Sequence, residues 1–135
     1  MIQYNSLEKA LGQLAKAVSF AHRHNDDAEL FEQFRNSVIQ TFEYSFELAF
    51  KLLKRTLASA AASDQEVEAM SYNEVIRLGA RLGFLNHPEA WFEFRTARNK
   101  TSHGYEESFA QEGYLAAQLF LPAARELLLR MRDHK

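Results

Sequence analysis

The chain has 135 residues, a length typical of one domain, with a formal net charge of −2, 47% hydrophobic residues and 25% charged residues. This composition excludes a disordered or collagen-like chain, and the slight acidic excess excludes nucleic-acid binding through a uniformly basic surface. The sequence has no cysteine, which excludes disulfides, thiolate zinc sites and cysteine nucleophiles.

Residue usage favours helices. Ala and Leu together number 36, whereas Val, Ile and Thr number 11 and Gly and Pro only 7. Ala and Leu favour helices, and β-branched residues favour strands. We therefore predict an all-α fold, an up-down bundle of about five helices that forms a single domain over residues 1–135.

Neither a membrane span nor a secretion signal is predicted. No apolar run approaches the roughly 20 residues that a spanning helix needs. The segment Met1–Tyr4 lacks the basic start and apolar stretch of a signal peptide. We expect a cytoplasmic protein that does not contact membranes.

The first two helices follow from apolar spacing. Over about Ser6–Ala21 the apolar residues recur every three or four positions, which places them on one helix face. An Asn-Asp-Asp segment then interrupts the pattern and offers a cap for a long second helix over about Ala28–Ser59. The small residues of Ala58–Ser63 offer no anchor, so we predict a frayed helix end that passes into a mobile linker.

A short third helix is predicted from its two ends. Ser71 and Glu74 have the spacing of a capping box, in which each side chain bonds the backbone amide of the other residue. The helix should end near Leu82, because Gly83 suits the C-terminal cap.

Two more helices complete the predicted bundle. Pro88 suits the first turn of a fourth helix, which we expect to end at Gly104. The fifth helix is predicted over about Glu107–Arg132. Pro122 lies inside it and should kink it, because the proline ring displaces the carbonyl four residues earlier.

Candidate chemistry is concentrated at the end of the fourth helix, in Arg98 and His103. The negative end of the helix dipole favours protonated His103, and a histidine pKa of about 6.5 suits acid–base work near neutrality. The guanidinium of Arg98 is always charged and suits a phosphate. Asn99 shares the helix face of His103. These residue types indicate metal-free phosphodiester chemistry.

The same segment resembles a known family. Arg98, His103 and Tyr105 match the R-x4-H-x-Y motif of HEPN-domain proteins. The segment Ile39–Lys51 resembles the long-helix pattern I-Q-x-F-E-x-x-x-E-L-x-W-K of one branch, with phenylalanine in place of tryptophan, and Trp91 ahead of Arg98 also matches. That branch comprises the nucleotidyltransferase-substrate-binding proteins, also known as the HEPN toxins of HEPN–MNT toxin–antitoxin pairs.

The resemblance implies a fold and an activity. Family members are five-helix bundles that dimerise so that two R-x4-H motifs face each other, and active members are metal-independent endoribonucleases. His103 would assist proton transfer as a ribose 2′-hydroxyl attacks the adjacent phosphate, and Arg98 would stabilise charge in the transition state. A 2′,3′-cyclic phosphate end is the implied product. No cofactor is expected.

The resemblance also implies partners. The chain would be a homodimeric toxin with an RNA substrate. Its cognate MNT-type nucleotidyltransferase antitoxin would add AMP to Tyr105. The added phosphates would place negative charge beside Arg98 and His103 and compete with RNA for both groups.

Other interpretations of these residues stay open. A histidine at a helix end is often a simple cap, and Tyr105 can be a packed or exposed aromatic. Arg98 can form a structural ion pair with Glu43 or Glu47 of the long helix, and such an acid could also orient the arginine. A non-catalytic substrate-binding or adaptor subunit of a nucleotidyltransferase would carry the same residues.

Basic side chains near the motif are candidates for a phosphate-binding surface. A chain with net negative charge needs such a local patch to bind nucleic acid. A solvated helix face is the alternative. The candidates are Arg77, Arg81, Arg95, Arg98 and Lys100.

Overall fold

The computed structural model describes residues 2–61, 63–103 and 106–134, without the side chain of His103. These residues contain no strand and form six helices: α1 (Asn5–Arg23), α2 (Ala28–Ala60), α3 (Asp64–Glu68), α4 (Tyr72–Arg81), α5 (Pro88–His103) and α6 (Glu107–Asp133). The all-α prediction is confirmed.

The long helix α2 is the centre of the bundle. It contacts all five other described helices, and α5 and α6 also pack against each other. Phe120 of α6 is fully buried, and its ring lies 5.3 to 6.0 Å, centroid to centroid, from four other rings: Phe42, Phe46, Trp91 and Phe94. This aromatic core joins α2, α5 and α6, and thereby sets how α5 lies against α2.

The helix ends follow local capping rules. Asp27 accepts hydrogen bonds from two backbone amides in the first turn of α2, at 3.1 and 3.2 Å. Ser71 and Glu74 form both bonds of the predicted capping box, at 2.9 and 3.2 Å. Gly83 has a φ of +87°, in the left-handed region that favours glycine. All three predicted caps are confirmed.

Helix α3 was not predicted from the sequence. Helix α2 ends at Ala60, inside the segment Ala58–Ser63 where a frayed helix end was predicted, and the mobility of that segment stays a prediction. The Ser63 hydroxyl caps α3 by accepting from the amide of Glu66 at 3.1 Å. Val67 is 2% exposed and packs on the core. One buried side chain and one cap therefore hold a helix too short to show apolar periodicity.

The other helix bounds lie close to their predicted positions. Helix α6 runs without a break through Pro122, and the predicted kink there stays a prediction. Over the described ranges, not one helix combines the length and the apolar character that crossing a bilayer requires.

Candidate active site at the end of α5

The candidate site lies where the C-terminal end of α5 meets α2. Arg98 and Asn99 belong to α5, and Glu43 and Glu47 lie one turn apart on α2. The Nη2 atom of Arg98 forms an ion pair with Oε1 of Glu47. Of the two acids considered as partners for Arg98, the structure selects Glu47.

The ion pair leaves part of the Arg98 guanidinium uncommitted. Its Nη1 atom is 3.5 Å from Oδ1 of Asn99, at the limit of a hydrogen bond, and its Nε is buried without a partner among the described residues. The Arg98 side chain is 29% exposed. Because an arginine carries five N–H donors, this one can hold Glu47 and still donate to an incoming anion.

Glu43 does not pair with Arg98 but accepts hydrogen bonds from two hydroxyl groups of α5. Its Oε2 accepts a hydrogen bond from Thr101 Oγ1 at 2.7 Å and from Ser102 Oγ at 2.9 Å. Both hydroxyls belong to the last turn of α5, immediately before His103. Glu43 therefore anchors the helix end that carries the motif. The two hydroxyl residues inside the motif were the available signal for this contact, and they were missed.

A close approach of α6 confines the same helix end. A Cβ atom at Gly113 of α6 would overlap the Cγ2 methyl of Thr101 and lie 3.5 Å from Ile39 of α2. Glycine at this position thus lets α6 reach the end of α5, where Thr101 donates to Glu43.

His103 is the last residue of α5, which agrees with the predicted helix end. Its side chain, Gly104 and Tyr105 lie outside the described residues. The roles of His103 and Tyr105 therefore stay predictions, as does the exposure of the Tyr105 hydroxyl.

A buried arginine beside the site was missed. Arg35 of α2 is 6% exposed and donates two hydrogen bonds to the carboxylate of Glu107, in the first turn of α6. These bonds hold the pKa of Glu107 below its usual value. A cleft of about 400 Å³ lies between the two helices, with Glu43 and Thr101 also in its wall. The sequence feature that could have revealed it is the helical spacing of Phe31, Arg35 and Val38, which places the arginine on the apolar face of α2.

The other candidates for a phosphate-binding surface lie on two different faces of the bundle, one towards α6 and one towards α4. Lys100 turns towards α6, where its Nζ is 2.9 Å from Glu112. Arg77 and Arg95 lie on the side of α4. Within the described ranges, no group of three or more His, Cys, Asp or Glu side chains could hold a metal ion.

Comparison with known proteins places this site in a family. A family model described as nucleotidyltransferase substrate binding protein like matches residues 2–133. The chain belongs to this family. The branch expected from the motif and the long-helix pattern is therefore confirmed.

Two similar proteins come from Haemophilus influenzae. One, named probable ribonuclease HepT, is 32% identical over 95 residues, and the match spans 70% of this chain and 65% of that protein. The other is a solved structure described as the fold of a substrate binding domain of a nucleotidyltransferase. It has a TM-score of 0.89 and 27% identity, over 97% of this chain and all of the other.

Proposed function

We propose that the chain is the toxin of a HEPN–MNT toxin–antitoxin pair and acts as a metal-independent endoribonuclease. The observation that carries the proposal is the arrangement of Arg98. Glu47 holds one Nη of its guanidinium, the side chain stays 29% exposed, and His103 follows at the end of the same helix. Similarity to a protein named probable ribonuclease HepT supports this assignment.

In the proposed reaction His103 removes the proton from a ribose 2′-hydroxyl. The 2′-oxygen then bonds to the adjacent phosphorus, and the bond from phosphorus to the 5′-oxygen breaks. In the homodimer proposed below, the protonated His103 of the partner subunit donates a proton to the leaving oxygen, which gives a 5′-hydroxyl end and a 2′,3′-cyclic phosphate end. Arg98 stabilises the negative charge that grows on the phosphoryl oxygens, and Glu47 keeps the guanidinium in place.

The proposed enzyme is a homodimer with the α5 ends close to the twofold axis. One Arg98–His103 pair offers few groups to grip a phosphodiester, whereas two facing pairs supply a base, an acid and two guanidinium groups. Twofold dimers are also the commonest closed assembly. Small-angle scattering should show a dimer. A monomer, or a dimer whose two His103 residues face away from each other in a crystal, would contradict this arrangement.

RNA cleavage by the purified chain tests the proposal. Cleavage should persist in excess EDTA, and Arg98→Ala or His103→Ala should slow it by about 10²- to 10⁴-fold, the usual effect of losing one catalytic group. The matched control is His87→Ala, which removes an exposed histidine next to the start of the same helix. Full activity in the His103 variant, or complete loss in EDTA, would reject the mechanism.

Neutralisation is proposed to proceed through Tyr105. A cognate MNT-type nucleotidyltransferase would attach AMP to the Tyr105 hydroxyl, which adds negative charge within reach of Arg98 and blocks the RNA phosphate. Coexpression should add mass in steps of one AMP to the peptide that contains Tyr105. Tyr105→Phe should abolish the increment, and Tyr44→Phe, at an exposed tyrosine of α2, should not. An unmodified Tyr105 in the neutralised complex would assign inhibition to docking alone.

A second function is supported by the description of the solved Haemophilus influenzae structure as a substrate binding domain of a nucleotidyltransferase. Under it, the chain is a non-catalytic adaptor that docks a nucleotidyltransferase and presents a substrate. Induced expression of the chain alone separates the two functions. A toxin arrests growth and the arrest disappears with His103→Ala, whereas an adaptor leaves growth unchanged.

A further inference from the structure

A chain of cations and aromatic rings crosses three helices beside the site. The Lys54 ammonium lies 5.2 Å from the centroid of the Phe50 ring, and the Phe50 and Tyr72 ring centroids are 4.9 Å apart. The Arg95 guanidinium lies 4.9 Å from the Tyr72 ring centroid. We call this row, formed by Lys54, Phe50, Tyr72 and Arg95, the cation–aromatic ladder. The Tyr72 hydroxyl donates to the Trp91 carbonyl at 2.8 Å, which holds the Tyr72 ring in place.

The ladder is continuous with the candidate site. Arg95 lies one helical turn before Arg98 on α5, and Phe50 lies one turn after Glu47 on α2. Because Arg98 and Glu47 are themselves paired, the same two helices carry both features. Along the axis of α5, about 5 Å of helix rise separates Arg95 from Arg98.

Further basic residues extend the ladder on both sides. On α2, Lys51 and Arg55 are exposed beside Lys54. On α4, Arg77 lies 5.4 Å from the Phe92 ring centroid, and Phe92 is one turn before Arg95 on α5. We define the basic strip as five residues: Lys51, Lys54, Arg55, Arg77 and Arg95.

The carboxylates against the basic strip are Glu74 beside Arg77 on α4, and Asp64 and Glu68 of α3 beside the three cations of α2. Four of its cations have no carboxylate within 4.0 Å in the described part of the chain, and only Lys54 has one, Glu68 at 3.6 Å. From residue 48 to residue 60, α2 carries three cations and no acid. Asp64 and Glu68 of α3 bound the strip at its far end. In a chain of net charge −2, this strip is a local concentration of positive charge.

We infer that the basic strip binds the backbone of single-stranded RNA next to the scissile phosphate. The inference rests on the proposed function for its substrate and adds the surface that holds it. Exposed lysines and arginines neutralise phosphates without regard to sequence. Phe50, half-buried between Lys54 and Tyr72, adds aromatic surface beside these cations. Continuity with Arg98 favours RNA over an acidic partner protein.

The test measures binding of a fluorescent single-stranded oligoribonucleotide to the His103→Ala chain, in which RNA stays intact. The strip variant adds Lys51→Ala and Arg95→Ala to that background. Its matched control adds Lys16→Ala and Arg125→Ala, which remove two exposed cations from α1 and α6. Dissociation constants are measured over a series of salt concentrations, and circular dichroism establishes that each variant is folded.

The strip variant should bind more weakly than the control, and the slope of log affinity against log salt should fall by about 1.4, since each single-strand phosphate contact contributes about 0.7. The charge-preserving pair Lys51→Arg and Arg95→Lys should restore the slope. Equal affinity and slope in strip and control variants would overturn the inference. So would unchanged RNA binding with lost antitoxin binding or lost dimerisation, which would assign the strip to a protein partner.

This result is separable from the proposed function. If the chain with His103 intact cleaves no RNA but the strip variant loses RNA affinity, the ribonuclease proposal fails and the binding surface stands. If the intact chain cleaves RNA and the strip variant binds as the control does, the surface assignment fails and the ribonuclease proposal stands.

Discussion

Arg35 and Glu107 are joined by two hydrogen bonds of 2.5 and 2.9 Å that tie the N-terminal part of α2 to the first turn of α6. The arginine is buried and the carboxylate is exposed. Because Glu107 opens α6 directly after the connection from α5, this pair sets where the connection ends. The start of the same connection is set by the described contacts that the end of α5 makes with Glu43, Glu47 and Gly113.

Stability should depend on pH through Glu107. The hydrogen bonds from Arg35 lower the pKa of Glu107 in the folded chain. The carboxylate therefore stabilises the fold above the pKa of the unfolded chain, and this contribution is lost as the pH falls through the lower folded value. In thermal melts from neutral pH to about pH 3, wild type should melt above Glu107→Gln at neutral pH, and the gap should close in acid. A gap that stays constant with pH would contradict the assignment.

Gly113 and Gly12 should respond oppositely to alanine. A Cβ at Gly113 would overlap Thr101, whose hydroxyl is held by Glu43, so Gly113→Ala should destabilise the fold by about 1–3 kcal/mol. Gly12 lies in the interior of α1, and no neighbouring side chain comes within 4 Å of the place that an alanine methyl would occupy. Gly12→Ala should therefore stabilise the fold by up to about 1 kcal/mol. Urea unfolding measures both. Equal changes in the free energy of unfolding would show that α6 can move away from Thr101 without loss of stability.

Phe120 and Leu119 are neighbours with opposite environments. Phe120 is fully buried among aromatic rings, so Phe120→Ala should lower the free energy of unfolding by about 3–5 kcal/mol. Leu119 is 67% exposed, and Leu119→Ala should change it by less than about 0.5 kcal/mol. Chemical denaturation of the two variants tests whether α5 is held against α2 through this residue. A similar effect of both substitutions would contradict the described core.

Removal of the Glu43 carboxylate should loosen the end of α5. Thr101 and Ser102 would lose their shared acceptor, so backbone amides of the last helical turn should exchange faster with solvent in Glu43→Ala. Hydrogen exchange read by mass spectrometry on the peptide that contains these residues measures the change. Glu32→Ala, at an exposed acid of the same helix, is the control and should leave that peptide unchanged. Identical exchange rates in both variants would show that Glu43 does not anchor the end of α5.

Features that depend on neighbours in the chain were predictable. The Asp27 cap, the capping box of Ser71 and Glu74, and the positive φ of Gly83 each involve residues within about four positions, so their side-chain chemistry specifies them before any packing occurs. The apolar periodicity of the long helices has the same local origin. The family was also recognisable, because its motif falls within residues 98–105 and its long-helix pattern within residues 39–51.

The contacts of the site depended on how the helices pack. Glu43 and Glu47 lie on one face of α2, and no local rule decides which of them meets Arg98. The position of α5 along α2 decides it, and the buried rings around Phe120 set that position. The same holds for Arg35, whose partner is 72 residues away. Composition, caps and motif therefore came from the sequence alone, whereas the partner of each charged group required the tertiary structure, because only packing brings distant side chains within hydrogen-bonding distance.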